Sequence, residues 1–150
     1  MIHNLLEYEE GYREKPYLCS EGYPTIGIGK RIGKKGDNLN HFDFTCPKPV
    51  AYAWLDEELK EIGKALNKLY WFNELSDDRR CIIVSMAYQM GIKGLFKFKG
   101  MIRALESKDF NMAAVEALDS LWAKQTPNRA NRHAEVLRNN NLVKVYEGKF

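Results

Sequence analysis

The chain has 150 residues, of which 45% are hydrophobic and 29% are charged, so it can bury a core and lacks the composition of a disordered protein. The formal net charge of +3 is mild, and the surplus is concentrated in the last thirty residues, where six Lys and Arg accompany two Glu. Three cysteines at irregular spacing form neither a disulfide framework nor a Cys-x-x-Cys metal site, which indicates folding in a reducing compartment.

Targeting segments and metal sites are not expected. The N-terminal residues are too acidic and include too few apolar side chains for a signal peptide, and no stretch approaches the length of a membrane span. His3, His41 and His133 show no ligand spacing with one another or with the cysteines. We therefore expect one domain without membrane anchor, metal or cofactor.

The first third of the chain predicts a short helix followed by strands. An apolar face in residues 2–6 predicts a helix that ends near Gly11. A strand leading to Cys19, a turn, and a second strand from Tyr23 to Lys30 follow. In the second strand the isoleucines face the core, whereas Thr25 and two glycines form a bare face that another chain could approach closely.

Helices dominate the remainder. Pro49 lies at the start of a long helix that is predicted to reach about Tyr70, with an apolar stripe at positions 54, 55, 59, 62, 66 and 69. Further helices are predicted after the capping residue Ser76, near Asp109, and from Pro127 to about residue 138. Early strands followed by helices indicate the α+β class.

Glu10, Cys19 and Thr25 are the candidate catalytic residues, at the spacing Glu-x8-Cys-x5-Thr. Cleavage of a bond between two sugars needs a proton donor for the leaving oxygen and a second group that holds water on the opposite face of the sugar. Two carboxyl groups normally take these roles, whereas here a thiol occupies the second position. An acid, a thiol and a hydroxyl in one short segment therefore suit glycoside hydrolysis.

Three sequence blocks in the same order resemble the phage-type lysozymes, glycoside hydrolase family 24. They are residues 10–29, the tetrapeptide YQMG at 88–91, and WAKQTPNRA at 122–130. The resemblance covers nearly the whole chain. It implies a two-lobe fold within the single domain 1–150: a small β-containing lobe at about 12–47, a connecting helix at about 49–70, and a helical lobe at about 71–150 that includes the N-terminal helix 1–10.

The resemblance also implies an activity and partners. It implies hydrolysis, with inversion, of the β-1,4 bond between N-acetylmuramic acid and N-acetylglucosamine in bacterial peptidoglycan. A monomeric endolysin would stay in the host cytoplasm until a separate hole-forming protein released it to the cell wall in the periplasm, where it would lyse the host. No nucleic-acid partner is expected, since residues 129–144 of the basic C-terminal region contain no Phe, Trp or Tyr.

Site residues follow by position from the resemblance. Glu10 corresponds to the general acid, Cys19 to the usual second acidic residue, Thr25 to a residue that holds water, and Arg129 to the arginine that pairs with the acid. Arg31, Tyr88 and Gln89 correspond to positions that contact sugar. The segment between Gly33 and Pro47 is shorter than in well-known members, which predicts a reduced upper lip of the cleft.

The role of Cys19 has three alternatives at this point. Cys19 is a partly ionised base assisted by nearby positive charge, a neutral spacer beside water held by Thr25, or a nucleophile that forms a thioglycosyl intermediate with net retention. Glu21 could replace the missing carboxylate, although a structural role is the simpler interpretation. For Cys19 itself, the interpretation without a function is an inert buried thiol.

Two other function classes compete with glycoside hydrolysis. A cysteine peptidase or amidase would need a histidine partner for Cys19, and none of the three histidines lies in a recognisable partner motif. The remaining alternative is a catalytically weak pseudoenzyme that binds the cell wall. The predicted function is therefore a muramidase, with wall binding without catalysis as the alternative.

Overall fold

The computed structural model describes residues 1–150, which form nine α-helices, one short 3-10 turn and one three-stranded antiparallel sheet, so the predicted α+β class is confirmed. In chain order the elements are α1 Ile2–Glu10, β1 Arg13–Leu18, β2 Pro24–Gly27, β3 Lys30–Arg31, the 3-10 turn Leu39–His41, α2 Lys48–Leu66, α3 Tyr70–Asn73, α4 Asp77–Phe96, α5 Lys99–Glu106, α6 Phe110–Leu118, α7 Leu121–Gln125, α8 Pro127–Asn139 and α9 Leu142–Val145. None of these helices is long and apolar enough to cross a membrane.

The chain divides into two compact units, which we call the sheet unit (residues 3–60) and the helical unit (residues 61–150 with residues 1–2). Nearly all of α1 therefore belongs with the sheet, whereas the expected lobe boundaries placed residues 1–10 with the later helices. The division falls inside α2, between Lys60 and Glu61.

The sheet has the order β1-β2-β3, and its second hairpin corrects one prediction. A single strand from Tyr23 to Lys30 is wrong, because the chain turns between β2 and β3, where Gly27 and Gly29 both have φ +65°. Residues other than glycine rarely adopt such φ angles, so this pair of glycines makes the turn possible. The prediction that Thr25 and the glycines form a bare, accessible face is also wrong, since β2 is buried along its whole length.

The long helix α2 is shorter than predicted, since it ends at Leu66 rather than near Tyr70. The side-chain amide of Asn73 donates to the carbonyl of Asn67 at 2.9 Å and so satisfies a backbone acceptor just beyond the helix. Leu55, Ile62 and Leu66 of the predicted stripe are buried, whereas Trp54 is 36% exposed and lies outside the core.

The helical unit confirms the predicted helix starts. The Ser76 hydroxyl accepts the backbone N–H of Arg79 at the start of α4, and Asp109 accepts that of Met112 at the start of α6. Pro127 occupies the first turn of α8. The helix α4 is kinked at Gly91, whose φ of +80° and ψ of 160° are open almost only to glycine. The kink lies two residues after Gln89, the second of the two predicted sugar contacts.

Candidate functional site

Glu10 is the last residue of α1, and the β2–β3 turn lies against its carboxylate. The helix ends because Gly11 has φ +73°, with its N–H donating to the Glu7 carbonyl at 2.9 Å. A Cβ added at Gly29 would lie 2.6 Å from Oε2 of Glu10 and 2.9 Å from its Cδ. The glycine at position 29 therefore makes room for the proposed acid, a role different from the predicted approach of a sugar chain.

Cys19 lies in the turn that follows β1. Its N–H donates to the carbonyl of Tyr23 at 3.0 Å, and its own carbonyl accepts from the N–H of Gly22 at 2.9 Å. These two bonds close the turn and hold the half-buried thiol in place. The turn belongs to the first hairpin, as the sequence predicted, and the thiol is not deeply buried.

The surroundings of Cys19 favour its thiolate form. Partial burial has the largest single effect and raises the pKa, but the opposing effects together are larger, so the pKa of Cys19 is lowered from its ordinary value. The opposing effects come from hydrogen bonds to the backbones of Tyr23 and Glu21, from the hydroxyl of Thr25, and from the positive charge of Arg31. The thiol of Cys19 is thus half-buried among groups that stabilise its thiolate.

Thr25 is buried at 2% exposure, and its hydroxyl donates to the carbonyl of Tyr23 at 2.8 Å. The same hydroxyl is within hydrogen-bonding reach of Cys19, where it lowers the pKa of the thiol. A hydroxyl carries one proton and can donate it to one acceptor at a time. Ionisation of Cys19 therefore gives the Thr25 hydroxyl a second, negatively charged acceptor.

Tyr17 is a site residue that the sequence analysis missed. It pairs with Thr25 across the β1–β2 ladder. Burial, followed by the negative charge of Glu10, raises the pKa of Tyr17, and the charge of Cys19 contributes in the same direction. Tyr17 therefore lies within electrostatic reach of both Glu10 and Cys19. Its position two residues before Cys19 was the available signal, because alternate residues of a strand share a face.

Arg31 takes part in contacts that the sequence did not predict. Its guanidinium bonds Glu21 at 2.7 Å and stacks over the ring of Tyr23 at 3.9 Å from the centroid. Both charged side chains of this ion pair are nearly half exposed, so the pair adds little stability. Its effect is positional, since it holds a cation beside Cys19. Glu21 is bound to this cation, which supports the structural role inferred from the sequence.

Tyr88 and Gln89, the other predicted sugar contacts, lie in the helical unit and are half-buried. The side-chain carbonyl of Gln89 accepts the indole N–H of Trp122 at 2.8 Å, and Trp122 is itself 8% exposed. This bond fixes the Gln89 amide, so its NH₂ group presents its donors in a set direction. Trp122 lies in the core.

Arg129 is buried in the same unit at 6% exposure. Its Nη2 donates to the hydroxyl of Ser85 at 2.9 Å and to the carbonyl of Ser85 at 3.2 Å. The Ser85 hydroxyl also bonds Nε2 of His133 at 2.8 Å, and Nδ1 of His133 bonds the hydroxyl of Tyr146 at 3.0 Å. Sequence reasoning missed Ser85 and His133, although Ser85 is the one polar residue in the apolar run 81–87.

The structure therefore brings Glu10, Cys19, Thr25 and Arg31 together in the sheet unit, through α1 and the two hairpins. Tyr88, Gln89 and Arg129 lie in the helical unit, on α4 and α8. Chemically, the first group offers a carboxyl, a thiol inclined to ionise and a hydroxyl, and this set suits proton donation and activation of water.

Comparisons with known proteins identify the family of this chain. The family model described as phage lysozyme matches residues 7–139. Probable T4-type lysozyme 1 of Dictyostelium discoideum is 30% identical over 164 residues, covering 94% of this chain and 95% of the relative. The pre-baseplate central spike protein Gp5 of Enterobacteria phage T4 is 30% identical over 92% of this chain and 28% of its own length. The endolysin of Salmonella phage P22 is 31% identical over 79% of this chain and 78% of the relative. The family inferred from the three sequence blocks is thus confirmed: the chain belongs to the phage lysozyme family.

Proposed function

We propose that this chain is a muramidase that hydrolyses the β-1,4 bond between N-acetylmuramic acid and N-acetylglucosamine in peptidoglycan. The observation that carries the proposal is the placement of three groups by the two hairpins of the sheet unit. Thr25 lies on β2, Cys19 is bonded to Tyr23 just before β2, and the β2–β3 turn at Gly29 lies against Glu10. The lysozyme and endolysin names of the relatives support the same substrate. In this proposal Cys19 takes the position that the resemblance assigns to the usual second acidic residue.

Each of the three residues has a role in the proposed mechanism. The carboxyl of Glu10 donates its proton to the bridging oxygen as the glycosidic bond breaks. The thiolate of Cys19 takes a proton from a water molecule whose oxygen attacks the sugar from the opposite face, and Thr25 helps to hold that water. The product then has inverted configuration. The Cys19 thiol gives its proton to solvent and the Glu10 carboxylate takes one up from solvent, which restores both groups for the next cycle.

The lowered pKa of Cys19 supports a base over a neutral spacer. A nucleophilic thiolate would instead bond to the sugar and give a product of retained configuration. Direct analysis of the first-formed product anomer by NMR separates these two reactions. Inversion supports the base, and retention would identify Cys19 as the nucleophile.

The remaining residues have supporting roles in the proposal. Tyr88 and Gln89 contact sugar, with Gln89 oriented by its bond to Trp122. The resemblance assigns to Arg129 the role of orienting the acid. Arg31 contributes mainly its charge beside Cys19, because its guanidinium is already bound to Glu21 and Tyr23. In an infected cell we propose that the protein acts as a monomeric endolysin that a separate hole-forming protein releases to the wall.

The deciding experiment is clearing of purified peptidoglycan by the wild type beside Glu10→Gln. Removal of the proton donor is expected to lower activity at least ~10²-fold. Glu14→Gln is the matched control, because Glu14 is an exposed glutamate of the same unit on β1. Near-full clearing by Glu10→Gln would remove Glu10 as the acid. Sedimentation of the wild type with walls that it never clears would instead identify a wall-binding pseudoenzyme.

A further inference from the structure

Four buried side chains of the helical unit form one continuous hydrogen-bonded series: Arg129, Ser85, His133 and Tyr146. Ser85 and His133 are 0% exposed, and Tyr146 is 2% exposed. The contacts run from the guanidinium to the Ser85 hydroxyl at 2.9 Å, to Nε2 of His133 at 2.8 Å, and from Nδ1 to the Tyr146 hydroxyl at 3.0 Å. We call these three contacts the Arg129 relay.

Hydrogen-bond chemistry gives the Arg129 relay a direction. A guanidinium can only donate, so the Ser85 oxygen is an acceptor toward Arg129. The single proton of the Ser85 hydroxyl is then available for Nε2 of His133, provided that this nitrogen carries no proton. Nδ1 must in that case hold the imidazole proton and donate it to the oxygen of Tyr146.

We propose that Ser85 and His133 are positioning residues, which hold the Arg129 guanidinium in the orientation that its role in the reaction requires. This inference rests on the proposed function of Arg129. With Nε2 of His133 unprotonated, the Ser85 proton is directed at His133 and the oxygen lone pairs face Arg129. The Ser85 carbonyl accepts a second bond from the same Nη2 at 3.2 Å. Two acceptors on one nitrogen restrict how the guanidinium can rotate.

The neutral state of His133 is part of the arrangement. A protonated imidazole would present N–H groups on both sides, so that Ser85 would face a donor from His133 as well as one from Arg129. Complete burial and the nearby charges of Arg129 and Arg132 oppose that protonation. The other groups that face the ring are Ser85, Tyr146 and the indole of Trp122, whose centroid lies 5.9 Å away. The relay therefore keeps one direction through the acidic range in which exposed histidines become charged.

A positioning role differs from simple packing in the pattern that mutations produce. Ser85→Ala and His133→Leu are each expected to lower kcat on purified peptidoglycan about tenfold per folded molecule, with little change in KM. The double variant should be no slower than Ser85→Ala alone, because His133 acts only through Ser85. Losses that multiply in the double variant, or an unchanged kcat in His133→Leu, would overturn the proposal.

A conservative substitution separates hydrogen bonding from volume. His133→Gln retains an acceptor for the Ser85 hydroxyl, so it should recover most of the kcat that His133→Leu loses. Melting temperatures of both variants, measured alongside, show whether the comparison is made at equal stability. Equal kcat values for Gln and Leu at matched stability would show that packing alone matters.

A measurement on the wild type tests the relay without any activity. Nitrogen-15 NMR of the His133 ring should show the proton on Nδ1 and none on Nε2. The opposite tautomer in an active enzyme would reject the proposed direction and the inference with it. Failure of the proposed function has a different signature, since the wild type itself would then fail to clear peptidoglycan.

Discussion

Glu10 and Gly29 are in such close contact that no side chain can be accommodated at position 29 without displacing the carboxylate. A Cβ there would lie 2.6 Å from Oε2, 2.9 Å from Cδ and 3.1 Å from Cβ of Glu10. The turn between β2 and β3 thereby forms one wall around the proposed acid. The backbone conformation of this two-residue turn therefore limits the directions in which the Glu10 carboxyl, the proposed proton donor, can point.

Gly29→Ala should therefore impair catalysis by moving Glu10. We expect a loss of peptidoglycan clearing of about tenfold or more, because small displacements of reacting groups are costly to catalysis. Activity per folded molecule, corrected with thermal melts, is the measurement. Gly36→Ala is the matched control, since Gly36 also has positive φ, at +88°, but has no heavy atom within 4 Å of its added Cβ. Equal activity losses in the two variants would show that backbone strain, and not Glu10, is responsible.

Cys19→Asp should extend activity toward lower pH. A base works only when it is deprotonated, so activity of the wild type falls as the thiolate takes up a proton on acidification. The pKa of Cys19 is lowered, yet a carboxylate ionises near pH 4 and remains charged well below the range of any ordinary thiol. The pH profiles of wild type, Cys19→Asp and Cys19→Ser test this. Full activity of Cys19→Ser would favour the neutral spacer, because serine does not ionise.

Arg31→Met should make Cys19 less reactive at neutral pH. Loss of the positive charge removes one of the effects that lower the pKa of the thiol, so the thiolate fraction falls. Because Arg31 is nearly half exposed, we expect only about a threefold decrease in the rate of alkylation by iodoacetamide. Peptide mapping by mass spectrometry separates Cys19 from Cys46 and Cys81, whose pKa values are raised by burial. Arg31→Lys, which keeps the charge, should react at nearly the wild-type rate.

Stability should decline on acidification because of His133. Burial and the charges of Arg129 and Arg132 hold its pKa well below the usual value of about 6.5, so the unfolded chain takes up a proton that the folded chain does not. The neutral, buried His133 contributes its full stability above the unfolded-state pKa of about 6.5. This contribution is lost as the pH falls from there toward the folded-state pKa, by up to about 1.4 kcal/mol per pH unit. The free energy of unfolding, measured with urea at several pH values between 7 and 5, should fall less steeply with decreasing pH in His133→Gln than in the wild type. An identical slope would mean that other groups cause the acid sensitivity.

The amino-acid sequence was sufficient for features that depend on local chemistry. The end of α1 at Gly11, the caps at Ser76 and Asp109, and the start of α8 at Pro127 were all predicted, because each depends on the conformation or hydrogen bonding of one or two residues. The family followed from three ordered blocks of sequence. The end of α2 at Leu66 was missed, because the apolar stripe continues to position 69 and periodicity alone does not mark where a helix stops.

Only the tertiary structure decided how the candidate residues are held. The alternating pattern of side chains predicted one strand that runs through Gly27 and Gly29. The structure has a turn there, in which both glycines have positive φ and Gly29 lies against Glu10. Arg31 looked like a free sugar contact until the hairpin placed it on Tyr23 and Glu21. His133 showed no functional spacing, yet folding joins it through Ser85 to Arg129. The sequence by itself determined which chemical groups are present and where helices begin. Their partners and protonation depend on atoms that lie far apart in the chain and meet only after folding.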